Sequence, residues 1–267
     1  MKKIFIASLI IFIFGTIYPA YATLIGYWDF NEGQGSTAYD SSGSNYNGDV
    51  YGVEWQSGIE GSAIEFDGTP DDFVIIDHCI QPTDGITIAA WILPYSLPEY
   101  EPGEYQIVTH RNYRFQLRFD GALNTAIEDH DASPTNIYGE MNYYAGTVYE
   151  DNWHHVALTY SSESPRYIKF FIDGELVGTS PEYTGGDGKI EYDSTARLTV
   201  GKGYLSGWQR PFHGIIDELK IFDEGLAEDD IALLYREFAP QPVPEPSTFF
   251  LLLGLLGFAG IMRKTKS

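Results

Sequence analysis

Leu24-Ile25-Gly26-Tyr27-Trp28-Asp29-Phe30-Asn31 is the stretch that decides the fold class. Successive side chains of a β-strand point to opposite faces, so Leu24, Trp28 and Phe30 share one face while Tyr27 and Asn31 lie on the other. An apolar face opposite a more polar one is typical of a strand that borders a hydrophobic core. The stretch therefore predicts a β-strand with one face buried.

Similar short runs, rich in β-branched and aromatic residues, recur along the chain between clusters of Gly, Asp, Asn, Ser and Pro. This pattern predicts an all-β fold, and about a dozen strands in one domain imply two packed antiparallel sheets. Further strands are predicted at residues 63–66, 73–76, 86–92, 106–109, 113–119, 123–127, 153–160, 167–172, 175–179, 196–200 and 214–222. A short C-terminal helix is predicted at residues 227–238, where apolar residues recur at helical spacing.

The N-terminal residues have the pattern of a secretory signal. Lys2 and Lys3 precede an apolar stretch at residues 4–18 and the small-residue site Ala20-Tyr21-Ala22. This order predicts a signal helix that signal peptidase removes by cutting after Ala22.

The C-terminal end predicts a second, disposable membrane segment. An apolar run at residues 249–262 follows Val243-Pro244-Glu245-Pro246-Ser247 and precedes a basic tail. At ~1.5 Å per residue this run is roughly 21 Å long, short of the bilayer's hydrocarbon core of about 30 Å. The basic tail favours a cytoplasmic end, so we expect transient anchoring in the inner membrane.

The order Pro244-Glu245-Pro246, apolar helix and basic tail resembles the PEP-CTERM sorting signal of Gram-negative bacteria. This resemblance implies processing by an exosortase and delivery to the outer surface or extracellular matrix. An ordinary short tail anchor is the alternative. The predicted organisation is a signal peptide at 1–22, one domain at 23–239, a Pro-rich spacer at 240–247, and an apolar sorting helix with its basic tail at 248–267.

Charge restricts the partners of the domain. The chain has a formal net charge of −22, and removal of both terminal segments leaves 11 basic and 37 acidic residues. Such a field repels nucleic acid and anionic lipid, and it favours divalent cations as counter-ions. We therefore expect no nucleic-acid partner. Cys79 is the single cysteine, so no disulfide forms within the chain.

Several motifs together resemble a LamG-like jelly roll of the concanavalin A-like lectin/glucanase superfamily. They are residues 28–35, 40–43, 63–68, 86–92, 153–157, 171–174 and 214–221. The resemblance implies a two-sheet antiparallel jelly-roll sandwich. It leaves the function open, because lectins, adhesion modules and hydrolases share this fold.

No catalytic residues are predicted. Laminarinase-type members of the superfamily use a Glu-x-Asp-x-x-Glu strand that aims carboxylates into one cleft, and the chain lacks this pattern. His154 and His155 are neighbours on a predicted strand, so they point to opposite faces and cannot bind one metal ion together.

Asp217 is the first candidate ligand for a structural calcium ion. If Ile215, Leu219 and Ile221 face the core, Asp217 shares their face, where an unpaired carboxylate is costly to bury. A calcium ion would compensate the charge, as would backbone amides or the basic residues Arg197, Lys202 and Arg210. The family resemblance adds Asn31 and Asp40 as candidate ligands.

Aromatic residues in predicted loops are candidates for ligand binding, because flat rings pack well against sugar rings. The alternative is that they pack the loops onto the sandwich. These candidates are Tyr95, Tyr100 and Tyr105 in residues 94–105, Tyr143 and Tyr144 in residues 138–149, and Trp208. The leading hypothesis is an exported, non-enzymatic binding or adhesion module for extracellular polysaccharide. The alternatives are a glycan hydrolase with an unrecognised carboxylate pair and a structural matrix protein without a specific ligand.

Overall fold

The computed structural model describes residues 22–77, 80–99, 103–128, 140–190, 192, 196–203 and 210–240. These residues form sixteen strands and one helix. In chain order the elements are β1 Leu24–Trp28, β2 Thr37–Ala38, β3 Gly48–Tyr51, β4 Glu54–Ser57, β5 Ser62–Asp67, β6 Phe73–Ile76, β7 Gly85–Pro94, β8 Glu104–Thr109, β9 Tyr113–Arg118, β10 Leu123–Glu128, β11 Glu140–Ala145, β12 His154–Ser161, β13 Ile168–Ile172, β14 Glu175–Thr179, β15 Leu198–Val200, β16 His213–Phe222 and α1 Glu228–Phe238.

The strands form two eight-stranded antiparallel sheets. The first has the order β14-β13-β12-β7-β16-β5-β4, and β1 also pairs with β16. The second has the order β11-β10-β9-β8-β15-β6-β3-β2. This arrangement confirms the predicted all-β, two-sheet sandwich with a short C-terminal helix.

The core lies between the sheets and is built from the alternate apolar residues of both. Trp28 and Phe30 are fully buried in it, as the alternation in the first stretch predicts. Phe115 of β9 stacks at 6.1 Å on Phe170 of β13, which joins the two sheets across the core.

Asp-Gly pairs make the tight turns between several strands. Asp173 and Gly174 both have positive φ, of 53° and 79°, and they connect β13 to β14. Gly is favoured in such turns because it adopts positive φ without a steric penalty.

A β-bulge interrupts β16, the strand with the most partners. Its register against β7 shifts between Asp217 and Lys220, and Glu218 has a φ of 52°. An extra residue in a strand reverses the faces of the residues that follow it. Ile216, rather than Ile215, therefore joins the later apolar residues of the strand in the core. The condition that Ile215, Leu219 and Ile221 all face the core, under which Asp217 would share their face, is therefore not met.

Helix α1 covers part of the outer face of the first sheet. Ile231 of α1 packs in a small buried cluster with Phe171 and two alanines of the sheet. Tyr235 of α1 stacks on Trp91 at 5.6 Å, and His155 lies 5.5 Å from the same Trp91 ring. Burial lowers the pKa of His155 to about 4, so this ring is neutral beneath the helix at physiological pH.

His154 and His155 have separate surroundings, as predicted from their positions on one strand. His154 Nδ1 lies 2.9 Å from Asp173 Oδ2, whereas His155 contacts Trp91 and Tyr235. The two rings therefore do not form a chelating pair.

Gly201 offers a sharp test of the core packing. It has a φ of +82°, and an added Cβ would lie within 2.1 Å of the Phe66 ring. We expect Gly201→Ala to lower the free energy of unfolding by about 2 kcal/mol or more, through backbone strain and overpacking. Chemical denaturation monitored by tryptophan fluorescence measures this change.

Gly185→Ala is the matched control, because no atom lies within 4 Å of an added Cβ at Gly185. We expect this control to change stability by less than about 0.5 kcal/mol. Equal effects of the two substitutions would contradict the described packing around Phe66.

Candidate functional site

The outer face of the second sheet carries polar side chains at alternate positions. In β9, Tyr113, Phe115 and Leu117 point into the core. The residues between them, Arg114 and Gln116, therefore lie on the outer face. No apolar helix among the described residues packs on this face in the way that α1 packs on the first sheet.

Cross-strand pairing places four of these side chains in one row. Gln116 lies opposite Gln106 of β8 and Asn124 of β10, and Asn124 lies opposite Tyr144 of β11. We call Gln106, Gln116, Asn124 and Tyr144 the polar row. The amide groups of Gln106, Gln116 and Asn124 provide donors and acceptors in a line across the sheet.

Hydrogen bonds orient the amides of the polar row. Asn124 Nδ2 donates to Gln116 Oε1 at 2.9 Å, and Thr109 Oγ1 donates to Gln106 Oε1 at 2.8 Å. Gln106 and Gln116 are nearly inaccessible to solvent. The row therefore has a buried, fixed amide end and an accessible end at Tyr144.

Tyr144 presents its ring to solvent at that accessible end. The residue is 56% exposed, and the Arg118 guanidinium lies 4.0 Å from the centre of its ring. Arg118 is itself held by Asp120, with Nε 3.3 Å from Oδ1. A flat aromatic ring beside fixed polar groups is suited to a sugar ring, which has an apolar face and hydroxyl groups at its edge.

The polar row was not recognised in the sequence, although the signal is present there. Arg114, Gln116 and Arg118 alternate with large apolar residues in β9, and Asn124 continues the pattern in β10. The alternation predicted strands, but a solvent-facing polar side is common to most strands. Only the register of neighbouring strands shows which polar residues meet.

The predicted loop position of two candidate tyrosines is wrong. Tyr143 and Tyr144 lie on β11, which pairs with β10 along six residues. As neighbours on a strand they point to opposite faces: Tyr143 stacks on Phe170 at 5.9 Å against the core, and Tyr144 lies outside. Tyr105 is also a strand residue, in β8.

Tyr95 and Tyr105 lie close together at one end of the sandwich. The Ser96 hydroxyl is 3.1 Å from the Tyr105 hydroxyl and 2.8 Å from His213 Nδ1, and Tyr95 packs edge-on against His213. Burial, assisted by the Glu65 carboxylate, raises the pKa of Tyr95. These contacts show how both rings pack, and a ligand-binding role for them stays a prediction. Tyr100 and Trp208 lie outside the described residues.

Asp217 is fully buried, and backbone amides satisfy its carboxylate. Oδ2 accepts hydrogen bonds from the N–H groups of Ile59 at 2.9 Å and Glu60 at 3.5 Å, and Oδ1 accepts one from Glu218 at 2.8 Å. Burial and the neighbouring Glu218 carboxylate raise the pKa of Asp217 to about 7, against the opposing effect of these amides. Glu218 points elsewhere and accepts a 2.6 Å hydrogen bond from the Tyr27 hydroxyl.

Asn31 and Asp40 also accept hydrogen bonds from the backbone. Asn31 Oδ1 accepts one from Ser62 N at 3.0 Å. The Asp40 carboxylate accepts three, from Tyr27, Ser42 and Tyr46, which lower the pKa of Asp40 despite its partial burial. Each side chain thus fastens a loop to a strand.

The contacts described for Asn31, Asp40 and Asp217 are hydrogen bonds to the backbone. Across the part of the chain that the structure describes, no three His, Cys, Asp or Glu side chains are grouped as metal ligands. A calcium ion at Asp217 would share its oxygens with these N–H donors, because a carboxylate has about four lone-pair sites. Calcium binding stays a prediction, and the observed partners of Asp217 are those of the backbone-amide alternative.

The candidate processing sites lie at the two ends of the described chain. Ala22 is its first residue and lies two positions before the start of β1. Pro244, Glu245 and Pro246 lie outside the described residues. Among the residues that are described, no helix has the length and apolar character needed to span a membrane.

Comparisons with known proteins identify two parts of the chain. A family model of the concanavalin A-like lectin/glucanases superfamily matches residues 67–232, more than half of the chain. A model of the PEP-CTERM protein-sorting motif matches residues 242–266, which indicates an exported protein handled at the membrane. A search of curated protein sequences gave no match.

Solved structures with similar folds include the binding domains of two toxins and one domain of an arabinanase. The binding domain of Paraclostridial Mosquitocidal Protein 1 aligns with a TM-score of 0.62 at 15% identity, covering 81% of this chain and 52% of that one. Domain 4 of AbnA, a GH43 extracellular arabinanase from Geobacillus stearothermophilus solved with arabinotriose, aligns with a TM-score of 0.58 at 17% identity. This alignment covers 80% of this chain and 98% of that one. The receptor-binding domain of botulinum neurotoxin type G aligns with a TM-score of 0.59 at 13% identity, covering 80% of this chain and 51% of that one.

The chain spans about half the length of the two toxin domains and almost the whole of the arabinanase domain. At these identities the likeness concerns the fold.

The buried Asp217 carboxyl predicts an unusual pH dependence of stability. It takes up a proton near pH 7 in the folded chain and near pH 3.9 in the unfolded chain. Acidification between these values therefore stabilises the folded form, by up to about 1.4 kcal/mol per pH unit. Urea unfolding at pH 7.5 and pH 5.5 should show a wild-type gain on acidification that Asp217→Asn lacks.

Asp187→Asn is the control, because Asp187 is exposed. It should retain the wild-type pH dependence. If Asp217→Asn also retains it, the Asp217 carboxyl is ionised throughout this range, and a compensating cation becomes the better explanation.

Calcium is tested directly by thermal unfolding with EDTA and with added calcium chloride. Because amides already satisfy the three candidate side chains, we expect EDTA to leave the melting temperature unchanged within about 1 °C. A melting temperature that falls when EDTA is added and recovers with calcium would instead establish a bound ion. If Asp217→Asn abolishes this effect, the ion lies at Asp217.

Proposed function

Because the chain belongs to the concanavalin A-like lectin/glucanase superfamily, we propose that it is an exported, non-enzymatic binding module that attaches to extracellular polysaccharide through the accessible end of the polar row. The observation that carries this proposal is the accessible Tyr144 ring, flanked by Arg118 and continuous with the fixed amides of Gln116 and Asn124. An aromatic ring with adjacent amide donors and acceptors matches the mixed apolar and hydroxyl surface of a sugar.

The part of the polar row that a ligand can reach is its accessible end. Tyr144 and Asn124 lie on neighbouring strands about 4.8 Å apart, whereas Gln106 and Gln116 are nearly inaccessible to solvent, and Gln116 holds the Asn124 amide in place. The complex of the arabinanase domain with arabinotriose supports this class of ligand, since that domain shares the fold over nearly its whole length.

Charge favours a neutral polysaccharide over a strongly anionic one. The acidic excess of the domain repels polyanions at long range. Arg118, the cation beside Tyr144, is already neutralised by Asp120. Hydrogen bonding and ring packing would therefore provide most of the affinity.

Export places this module where such a ligand occurs. We propose that signal peptidase removes residues 1–22, that the C-terminal segment holds the protein briefly in the inner membrane, and that an exosortase processes it near Pro244-Glu245-Pro246. The product would reside on the outer surface or in the extracellular matrix of a Gram-negative cell. The match to the sorting motif at residues 242–266 supports this route.

The proposal is tested by measuring binding of the exported protein to the exopolysaccharide of the bacterium that produces it. We expect retention in affinity electrophoresis, and we expect Tyr144→Ala to weaken it about tenfold, a loss of about 1.4 kcal/mol. Circular dichroism should show that this variant remains folded, because the ring is largely outside the core.

Tyr39→Ala is the matched control, since Tyr39 is similarly exposed, at 58%, but lies in the loop after β2. It should bind as the wild type does. Wild-type protein that is not retained by the exopolysaccharide would refute the proposed ligand, and equal losses in both variants would refute the site.

A further inference from the structure

The first residue of the predicted mature chain, Thr23, contacts Asp223, the residue that directly follows β16. Thr23 N donates a 2.6 Å hydrogen bond to Asp223 Oδ1, and Asp223 N donates one of 3.1 Å to Thr23 O. The next residues, Leu24 and Phe222, are the first pair of the β1–β16 ladder. Thr23 and Asp223 therefore fasten the free end of β1.

The predicted cut after Ala22 changes the chemistry of this contact. Before cleavage, Thr23 N is an amide nitrogen with one hydrogen. After hydrolysis of the Ala22–Thr23 bond it becomes an α-ammonium group, with a positive charge and three hydrogens, at the same position. Hydrogen bonds between charged groups are stronger than those from a neutral amide.

We propose that removal of the signal peptide creates an ion pair between the Thr23 α-ammonium and the Asp223 carboxylate, which locks β1 onto β16 in the mature protein. Asp223 is thus a built acceptor site for the new N terminus. The ion pair makes the exported chain more stable than its uncleaved precursor.

The surroundings of Asp223 favour a cation at this position. Asp223, Glu224 and Asp84 line one cavity of about 430 Å³ beside Ile25 of β1. Lys189 Nζ already pairs with Asp84 at 2.9 Å. No described side chain forms a salt bridge with Asp223. The α-ammonium would supply that missing charge.

The cost of forming this pair is low because Thr23 is exposed. An exposed ammonium keeps much of its hydration, so it avoids the large penalty of a buried ion pair. The gain is correspondingly modest, as for other surface ion pairs. The ion pair would stabilise β1 in particular, because among the described strands β1 pairs only with β16. This strand carries the fully buried Trp28.

N-terminal sequencing and intact-mass measurement of the exported protein test the first step. We expect Thr23 to be the first residue. A mature chain that begins at another residue would overturn the proposal, and this outcome is independent of polysaccharide binding.

Three chains that all continue to Ser267 test the ion pair itself. One begins at Thr23, one begins at Ala22, and one begins at Thr23 and carries Asp223→Asn. The Ala22 chain has the same charge as the first but moves the ammonium by one residue. We expect the unfolding equilibrium constant at pH 7 to be about twofold to fivefold smaller for the Thr23 chain than for the Ala22 chain.

The advantage should disappear at alkaline pH. Pairing with Asp223 raises the pKa of the α-amino group above its unfolded value of about 7.7 to 8.0. Its stabilisation is therefore complete below that value and is lost as pH rises through the folded pKa. The other charged or titratable groups at the cavity are Asp84, Glu224 and Tyr46, with Lys189 paired to Asp84. That pairing lowers the pKa of Asp84 and raises the pKa of Lys189.

Asp223→Asn should abolish the difference between Thr23 and Ala22 starts. Should that variant fold poorly, acetylation of the Thr23 α-amino group provides a second route, because it removes the charge and keeps an N–H donor. Equal stability of the Thr23 and Ala22 chains at pH 7, or an advantage that survives acetylation, would overturn the proposal.

Discussion

The bulge in β16 is the constraint on which the other contacts of the first sheet depend. It turns Ile216 and Leu219 into the core while Asp217 reaches the turn between β4 and β5. Glu218 accepts a hydrogen bond from the Tyr27 hydroxyl of β1, and Lys220 Nζ pairs with Glu237 of α1 at 2.7 Å. One irregular strand thereby connects a hairpin, the first strand and the C-terminal helix. A regular strand would send these polar side chains to other faces.

The two sheets differ in what their outer faces can do. Helix α1 covers part of the outer face of the first sheet, where Ile231 and Tyr235 pack against apolar and aromatic side chains of the strands. The second carries amides in register and the accessible Tyr144. A shared core thus supports one face that stabilises the domain and another that is suited to a ligand. This division explains why fold and function can vary independently in such sandwiches.

Prediction from sequence succeeded where a local pattern is strong. Strands β6 and β14 match their predicted bounds, and most others differ by one or two residues, because alternation and Asp-Gly turns mark them. Strand β11 was missed, since its Tyr143-Tyr144 pair resembles an aromatic loop. The short strands β2, β3 and β4 were missed because few apolar residues mark them. The bulge that puts Ile215 and Leu219 on different faces could not be predicted, because a bulge leaves no distinct local signal.

Alternation was sufficient for the all-β fold class, composition for the acidic charge, and a local motif for the PEP-CTERM segment, because each depends on residues that are near neighbours in the chain. The tertiary structure decided which distant residues meet: Asp217 with Ile59, Gln116 with Asn124, and Thr23 with Asp223. Such pairs depend on strand order and register, which are set by packing of the whole core. A one-residue shift in register exchanges the two faces of a strand, so no local pattern can specify these contacts.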